Sequence, residues 1–188
     1  LGVPPEAGDS PADPRVSLAA SSYLEAIHGQ LTGRPPQVDL DLEARVQACL
    51  RRAIGAGLVA SAHDLSDGGL AVAAAEACLA GGLGARLVLP AGAARPDRLL
   101  FAEGGARVLV SVAGAQDAAW QQVLAEAGLA APGPSAAAVR LGAVEASPTL
   151  TILRGEAVLL QLAVDDLRHS YELAIPRRLR DAGPPPEH

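Results

Sequence analysis

The chain has 188 residues, of which 49% are hydrophobic but only 2% aromatic, and its formal net charge is −6. That length suits one domain with loose ends, able to bury roughly 70% of the surface its unfolded form would expose, so folding needs neither a disulfide nor a metal. The acidic balance and the scarcity of rings argue against a nucleic-acid binder and against docking on anionic lipid, so no nucleic acid and no membrane are expected as partners.

Residues 1–17, with Pro4, Pro5, Gly8, Pro11 and Pro14, read as a linker or arm outside the core. The folded domain is expected over 18–180, and 181–188 is expected to be a disordered tail. Ser21 or Ser22 is placed to cap a short helix that Gly29 ends. Asp39 is an N-cap for a longer helix whose apolar stripe runs Leu42, Val46, Cys49, Leu50, Ala53 and Ile54, closed by Gly57. Leu58–Ala62 reads as a strand, 63–69 as a turn, and Leu70–Leu79 as a helix of small residues that packs on more than one side. Ala85–Leu89, Leu99–Glu103 and Ala106–Val112 read as strands, and Ala115–Ala127 as a helix with Trp120, Val123 and Leu124 facing inward. Val139–Glu145, Thr149–Leu153 and Ala157–Leu160 read as further strands, the last two joined by a hairpin at Arg154-Gly155. A final helix within Val164–Leu179, with Asp165 near its start, buries Leu167, Tyr171 and Leu173 or Ala174, and Pro176 limits its length. Mixed helices and strands without a strict alternation predict an α+β fold, a mixed sheet with helices packed on both sides.

All 15 basic residues are arginine, which excludes a Schiff-base or P-loop lysine in these residues. The chain opens on Leu1 and holds no Met, so a fragment or a processed chain is expected. Cys49 and Cys78 read as small buried hydrophobes in a reducing compartment, with a disulfide or a nucleophilic thiol as the alternative. No apolar run approaches the ~18 residues of a membrane-spanning helix and no stretch reads as a secretory leader, so the cytoplasm is the expected location. Metal-ligand spacings such as CxxC or HExxH, the GxSxG elbow and the GxGxxG loop do not occur.

The stretch that stands out is Ser61-Ala62-His63-Asp64-Leu65-Ser66-Asp67-Gly68-Gly69-Leu70. It puts one His, two Asp and two Ser on a strand-to-helix turn. Its glycines let the backbone approach another group, and the N–H groups opening the next helix point at anything anionic. His63, Asp64, Ser66, Asp67, Gly68 and Gly69 therefore suit a phosphate rim, with Asp64 and Asp67 holding Mg²⁺ between their own charge and the phosphate. The structural alternative is that Asp64 or Ser66 caps the helix and the glycines only allow tight helix–sheet packing. A second candidate is Glu103, four residues before Arg107 and beside Gly104-Gly105. It either faces a ligand or closes a hairpin through a cross-strand ion pair with Arg107.

These motifs resemble, in order, the C-terminal half of phosphoribosylformylglycinamidine synthase, also called formylglycinamide ribonucleotide amidotransferase. The resemblance covers about residues 18–180: Ser22-Tyr23-Leu24 with His28-Gly29, Pro35-Pro36-Gln37-Val38-Asp39-Leu40, the Ser61–Leu70 motif, Gly81-Gly82-Leu83-Gly84-Ala85, and Phe101-Ala102-Glu103 with Arg107. It implies the C-terminal domain type of the aminoimidazole ribonucleotide synthetase superfamily. It also implies a ligase that uses ATP, Mg²⁺ and glutamine-derived ammonia to turn formylglycinamide ribonucleotide into its amidine in purine biosynthesis. Partners would be the upstream synthetase domains, a glutaminase subunit and a small accessory subunit. The catalytic histidine, the main metal-binding carboxylates and the ATP-contacting lysine belong to earlier domains of that family, so this domain would be inactive alone and carry no catalytic residue. Two departures stand out: Ala19-Ala20-Ser21-Ser22-Tyr23 where the family has Gly-Gly-Ser-Glu-Tyr, and Glu103-Gly104-Gly105 where it has Glu-Ser. Two alternatives keep the fold: another superfamily member, such as aminoimidazole ribonucleotide or selenophosphate synthetase, or a non-catalytic assembly domain.

Overall fold

The computed structural model describes residues 1–3, 14–90, 94–130 and 136–181. In chain order the elements are α1 (Ser22–His28), α2 (Leu40–Gly55), β1 (Val59–Asp64), α3 (Gly69–Gly81), β2 (Gly84–Leu89), α4 (Pro96–Phe101) and β3 (Val108–Val112). They continue with α5 (Asp117–Glu126), β4 (Gly142–Glu145), β5 (Thr149–Arg154), β6 (Ala157–Ala163), α6 (Val164–Tyr171) and α7 (Ala174–Asp181). Strands β4-β2-β5-β6 form a mixed sheet in which only β2 and β5 run parallel. β1 and β3 make a separate antiparallel ribbon, with His63 opposite Leu109 and Asp64 opposite Val108.

The ribbon divides two cores. Val108, Val110 and Val112 turn toward Val46, Cys49, Trp120, Val123 and Leu124 of α2 and α5. Leu109, one residue out of phase, turns to the core of Leu70, Ala74, Leu99, Leu100, Leu150 and Ile152. Alternation along one strand thus puts helices on both faces of the ribbon. Helix α3 is small and apolar all round and packs against α4, α6 and both sheets. The expected α+β architecture holds, with its strands shared between two sheets.

Local signals explain most boundaries. The Ser21 hydroxyl accepts from Leu24 N–H to start α1, and Gly29 ends it with φ 62°. The Asp39 carboxylate accepts from Leu42 N–H to start α2 and meets Arg15 at 3.1 Å. The Leu42 amide first, then Arg15, hold the Asp39 carboxyl below its ordinary value of 3.8. A depressed carboxylate stabilises the fold above its unfolded pKa and stops doing so as pH falls through the lower folded value. The destabilisation caused by Asp39→Ala, read by urea unfolding, is therefore expected to be largest near neutral pH and to shrink below pH 3.8. Cys49 and Cys78 are free and buried, and burial pushes both thiols up, as small hydrophobes rather than nucleophiles.

Several expectations change. Leu99–Glu103 is not a strand: Pro96 opens helix α4, its ring pre-setting φ, and Leu99 and Leu100 are buried. Ile54 lies one position off the Leu42–Val46–Cys49–Ala53 seam and is 54% exposed. Pro176 sits in the first turn of α7, where its missing N–H costs nothing, so the chain breaks after Tyr171 instead, and Tyr171 is 65% exposed. The β5–β6 turn is Gly155-Glu156. The segment read as an arm is not all outside the core: Val3 and Val16 are buried in it, and Ser17 pairs with Glu103 as an antiparallel bridge. Residues 4–13 of that arm and 182–188 of the expected tail lie outside the described residues.

Candidate functional site

β1 delivers His63 and Asp64 at its end, not on the turn proper. The buried Leu65 follows, its N–H donating to the Arg107 carbonyl at 3.0 Å. Gly68 and Gly69 then take φ 74° and 63°, two successive left-handed residues that swing the chain into α3. Asp64 is exposed and accepts the Ser66 hydroxyl, which first among its surroundings holds its carboxyl below the usual range. Asp67 is also exposed. Two outward carboxylates and a hydroxyl therefore share one turn.

Neither Asp64 nor Ser66 caps α3. Its N-cap is Gly68, with no side-chain cap of its own, and Gly68 N–H donates instead to Glu103 Oε1 at 2.9 Å. The same oxygen accepts Ser22 N–H at 2.9 Å, so a single carboxylate closes the N-termini of α1 and α3 together. Glu103 thus takes up, from inside the protein, the amide of the N-cap residue just ahead of α3. The hairpin ion pair with Arg107 does not form. Arg107 is 5% exposed and turns the other way, its Nη1 donating to the Ala102 carbonyl at the end of α4 at 2.8 Å, while its Nε has no partner. Burial pulls the Arg107 pKa down to about 10.

Gly69 serves helix–helix rather than helix–sheet contact, while a side chain on Gly68 would meet Val72 of α3 itself. A Cβ on Gly69 would stand 2.6 Å from the Ala102 carbonyl oxygen and 2.9 Å from Phe101 C, so α3 and the end of α4 touch backbone to backbone. Gly104 answers to the same logic: a Cβ there would lie 2.1 Å from the Arg15 carbonyl oxygen, which leaves no room for a serine on this backbone. The entry segment is equally local: Ser22 gives its N–H to Glu103, while Ala20 carries φ 56°, a conformation that favours glycine.

One partner escaped the sequence reading. His63 Nε2 lies 3.0 Å from Glu76 Oε2 of α3, and its Nδ1 lies 2.7 Å from the Asp64 carbonyl oxygen. The available signal was that Glu76 is the one charged residue in an otherwise apolar helix.

Among the described residues no group of three or more His, Cys, Asp or Glu is placed to hold a metal. Asp64 and Asp67 do offer hard oxygen donors, which fits Mg²⁺, a cation commonly held by one or two carboxylates plus water and substrate phosphate. No helix among the described residues is long and apolar enough to cross a membrane.

The family model for the AIR synthase related protein, C-terminal domain, matches residues 16–152. The chain belongs to that family. Within the AIR synthase related C-terminal domain family it is 57% identical over 179 residues to the phosphoribosylformylglycinamidine synthase subunit PurL of Prochlorococcus marinus (strain MIT 9303), covering 95% of this chain and 22% of that protein. The chain thus spans about a fifth of the length of that relative. Solved Thermotoga maritima structures share the fold. PurL complexed with ATP matches at TM-score 0.56 and 15% identity, over 86% of this chain and 27% of that one. The structure of PurLQS matches at TM-score 0.57 and 17% identity, over 86% and 27%. The matched family segment begins at Val16, a residue buried in the core.

Proposed function

We propose that this domain is one part of an ATP-dependent phosphoribosylformylglycinamidine synthase and forms a wall of a nucleotide site at the His63–Gly69 turn. The observation that carries the reading is the 57% identity to a synthase subunit across 95% of the chain. The exposed Asp64 and Asp67 add support, as oxygen donors beside a helix N-terminus.

In this reading Asp64 and Asp67 hold Mg²⁺ together with water and nucleotide phosphate. The bound cation supplies charge neutralisation at phosphate oxygens, which these two acids alone oppose. His63 and Ser66 orient Asp64, Gly68 and Gly69 shape the turn, and Glu103 holds the Gly68 amide ahead of α3 at the edge of the site. The whole enzyme uses ATP to activate the amide oxygen of formylglycinamide ribonucleotide, and ammonia drawn from glutamine displaces the phosphoryl group to give the amidine. Upstream synthetase domains, a glutaminase subunit and a small accessory subunit complete it, in the cytoplasm. The PurLQS assembly of Thermotoga maritima supports a multi-subunit arrangement.

The reading is tested by supplying the subunit that carries this chain with MgATP, ammonium and formylglycinamide ribonucleotide. Amidine formation is expected from that subunit and none from residues 1–188 alone. A folded subunit that makes no amidine contradicts the proposal.

A further inference from the structure

Glu76 is the only charged side chain on α3, and it is 31% exposed in a helix otherwise built of small apolar residues. Half-burying a carboxylate is costly unless a partner compensates, and the partner here is His63 Nε2 at 3.0 Å. The other ring nitrogen meets the Asp64 carbonyl at 2.7 Å. The same peptide group is fixed at its far end as well, since Leu65 N–H donates to the Arg107 carbonyl at 3.0 Å. The Asp64–Leu65 peptide is therefore held on both sides at the last residue of β1, and the same ring nitrogen lies 3.9 Å from Asp64 Oδ1.

We infer that Glu76 is a positioning residue: it holds the His63 ring, and through that ring it aims the Asp64 carboxylate outward from the turn. The inference rests on the reading of Asp64 as a ligand for the cation of a metal–nucleotide complex. Glu76 touches no ligand and works through His63. The pattern matches that of metal sites in which an outer carboxylate fixes an inner group, where losing the outer partner lowers affinity 10- to 100-fold.

The test is titration of MgATP into the subunit that carries this chain, as native protein and as the Glu76→Ala, Glu76→Asp, Glu76→Gln and Asp64→Asn variants, with unfolding midpoints measured beside. Glu76→Ala and Glu76→Asp are expected to weaken MgATP by about 10-fold. Asp keeps the charge but is one methylene too short. Glu76→Gln is expected to restore most of the affinity, because its amide can still meet Nε2. If Glu76→Ala does not fold, the Asp and Gln variants carry the comparison. Lower midpoints with unchanged MgATP affinity in the Glu76 variants, while Asp64→Asn binds weakly, would overturn the role of Glu76 alone. Unchanged affinity in Asp64→Asn overturns the nucleotide-site reading, and this inference with it.

Discussion

Gly69→Ala is expected to cost at least about 3 kcal/mol of folding stability, the sum of a left-handed backbone that a side chain resists and an overpacked contact. The added Cβ would sit 2.6 Å from the Ala102 carbonyl oxygen and 2.9 Å from Phe101 C. Backbone atoms do not rotate aside, so α3 must lift from the end of α4. Gly155→Ala is the control. It has a similar φ of 60°, but nothing lies within 4 Å of its Cβ position, so about 1 kcal/mol of conformational cost is all that is expected. Urea unfolding of the two variants separates conformation from contact, and equal losses would contradict the close approach.

Glu103→Ala is expected to cost about 3 kcal/mol, because two backbone N–H groups lose a charged acceptor at once. Ser22 N–H and Gly68 N–H both donate to Glu103 Oε1 at 2.9 Å. Glu103→Gln keeps an acceptor oxygen and is expected to lose less than half as much. Amide hydrogen exchange gives the local readout: Ser22 and Gly68 are expected to exchange faster in the Ala variant. Unchanged exchange at both amides would show that the carboxylate does not join α1 to α3.

Elements that carry their own punctuation were legible from residues. Helix α2 has Asp39 to start it, a seam of Leu42, Val46, Cys49 and Ala53, and Gly57 at φ 69° to end it. Helix α4 lacked such clarity: Leu99-Leu100-Phe101 is a short apolar run that suits a buried strand as well as a buried helix, and only Pro96 separated the two. Val3 and Val16 are isolated apolar residues in a proline-rich stretch and show no period, so their places in the core depend on contacts distant in sequence. The turn at 63–69 was legible as a place; its wiring was not. Glu103 reaches it across 35 residues of sequence, through a bond that no local pattern encodes, and Glu76 reaches it from within α3, signalled only by being the one charge on that helix. The same long-range packing explains Gly104, which the Arg15 carbonyl excludes from bearing a side chain.

In the proposed function Asp64 and Asp67 would carry a cation that joins this domain to nucleotide phosphate. Isothermal titration of ATP into the subunit, with Mg²⁺ and with the metal chelated, examines it directly. Binding at this domain is expected to require Mg²⁺ and to weaken about 10-fold or more when both residues are changed to Asn, at a temperature where both proteins remain folded. Nucleotide binding equally tight in the double variant, or indifferent to Mg²⁺, would contradict the account.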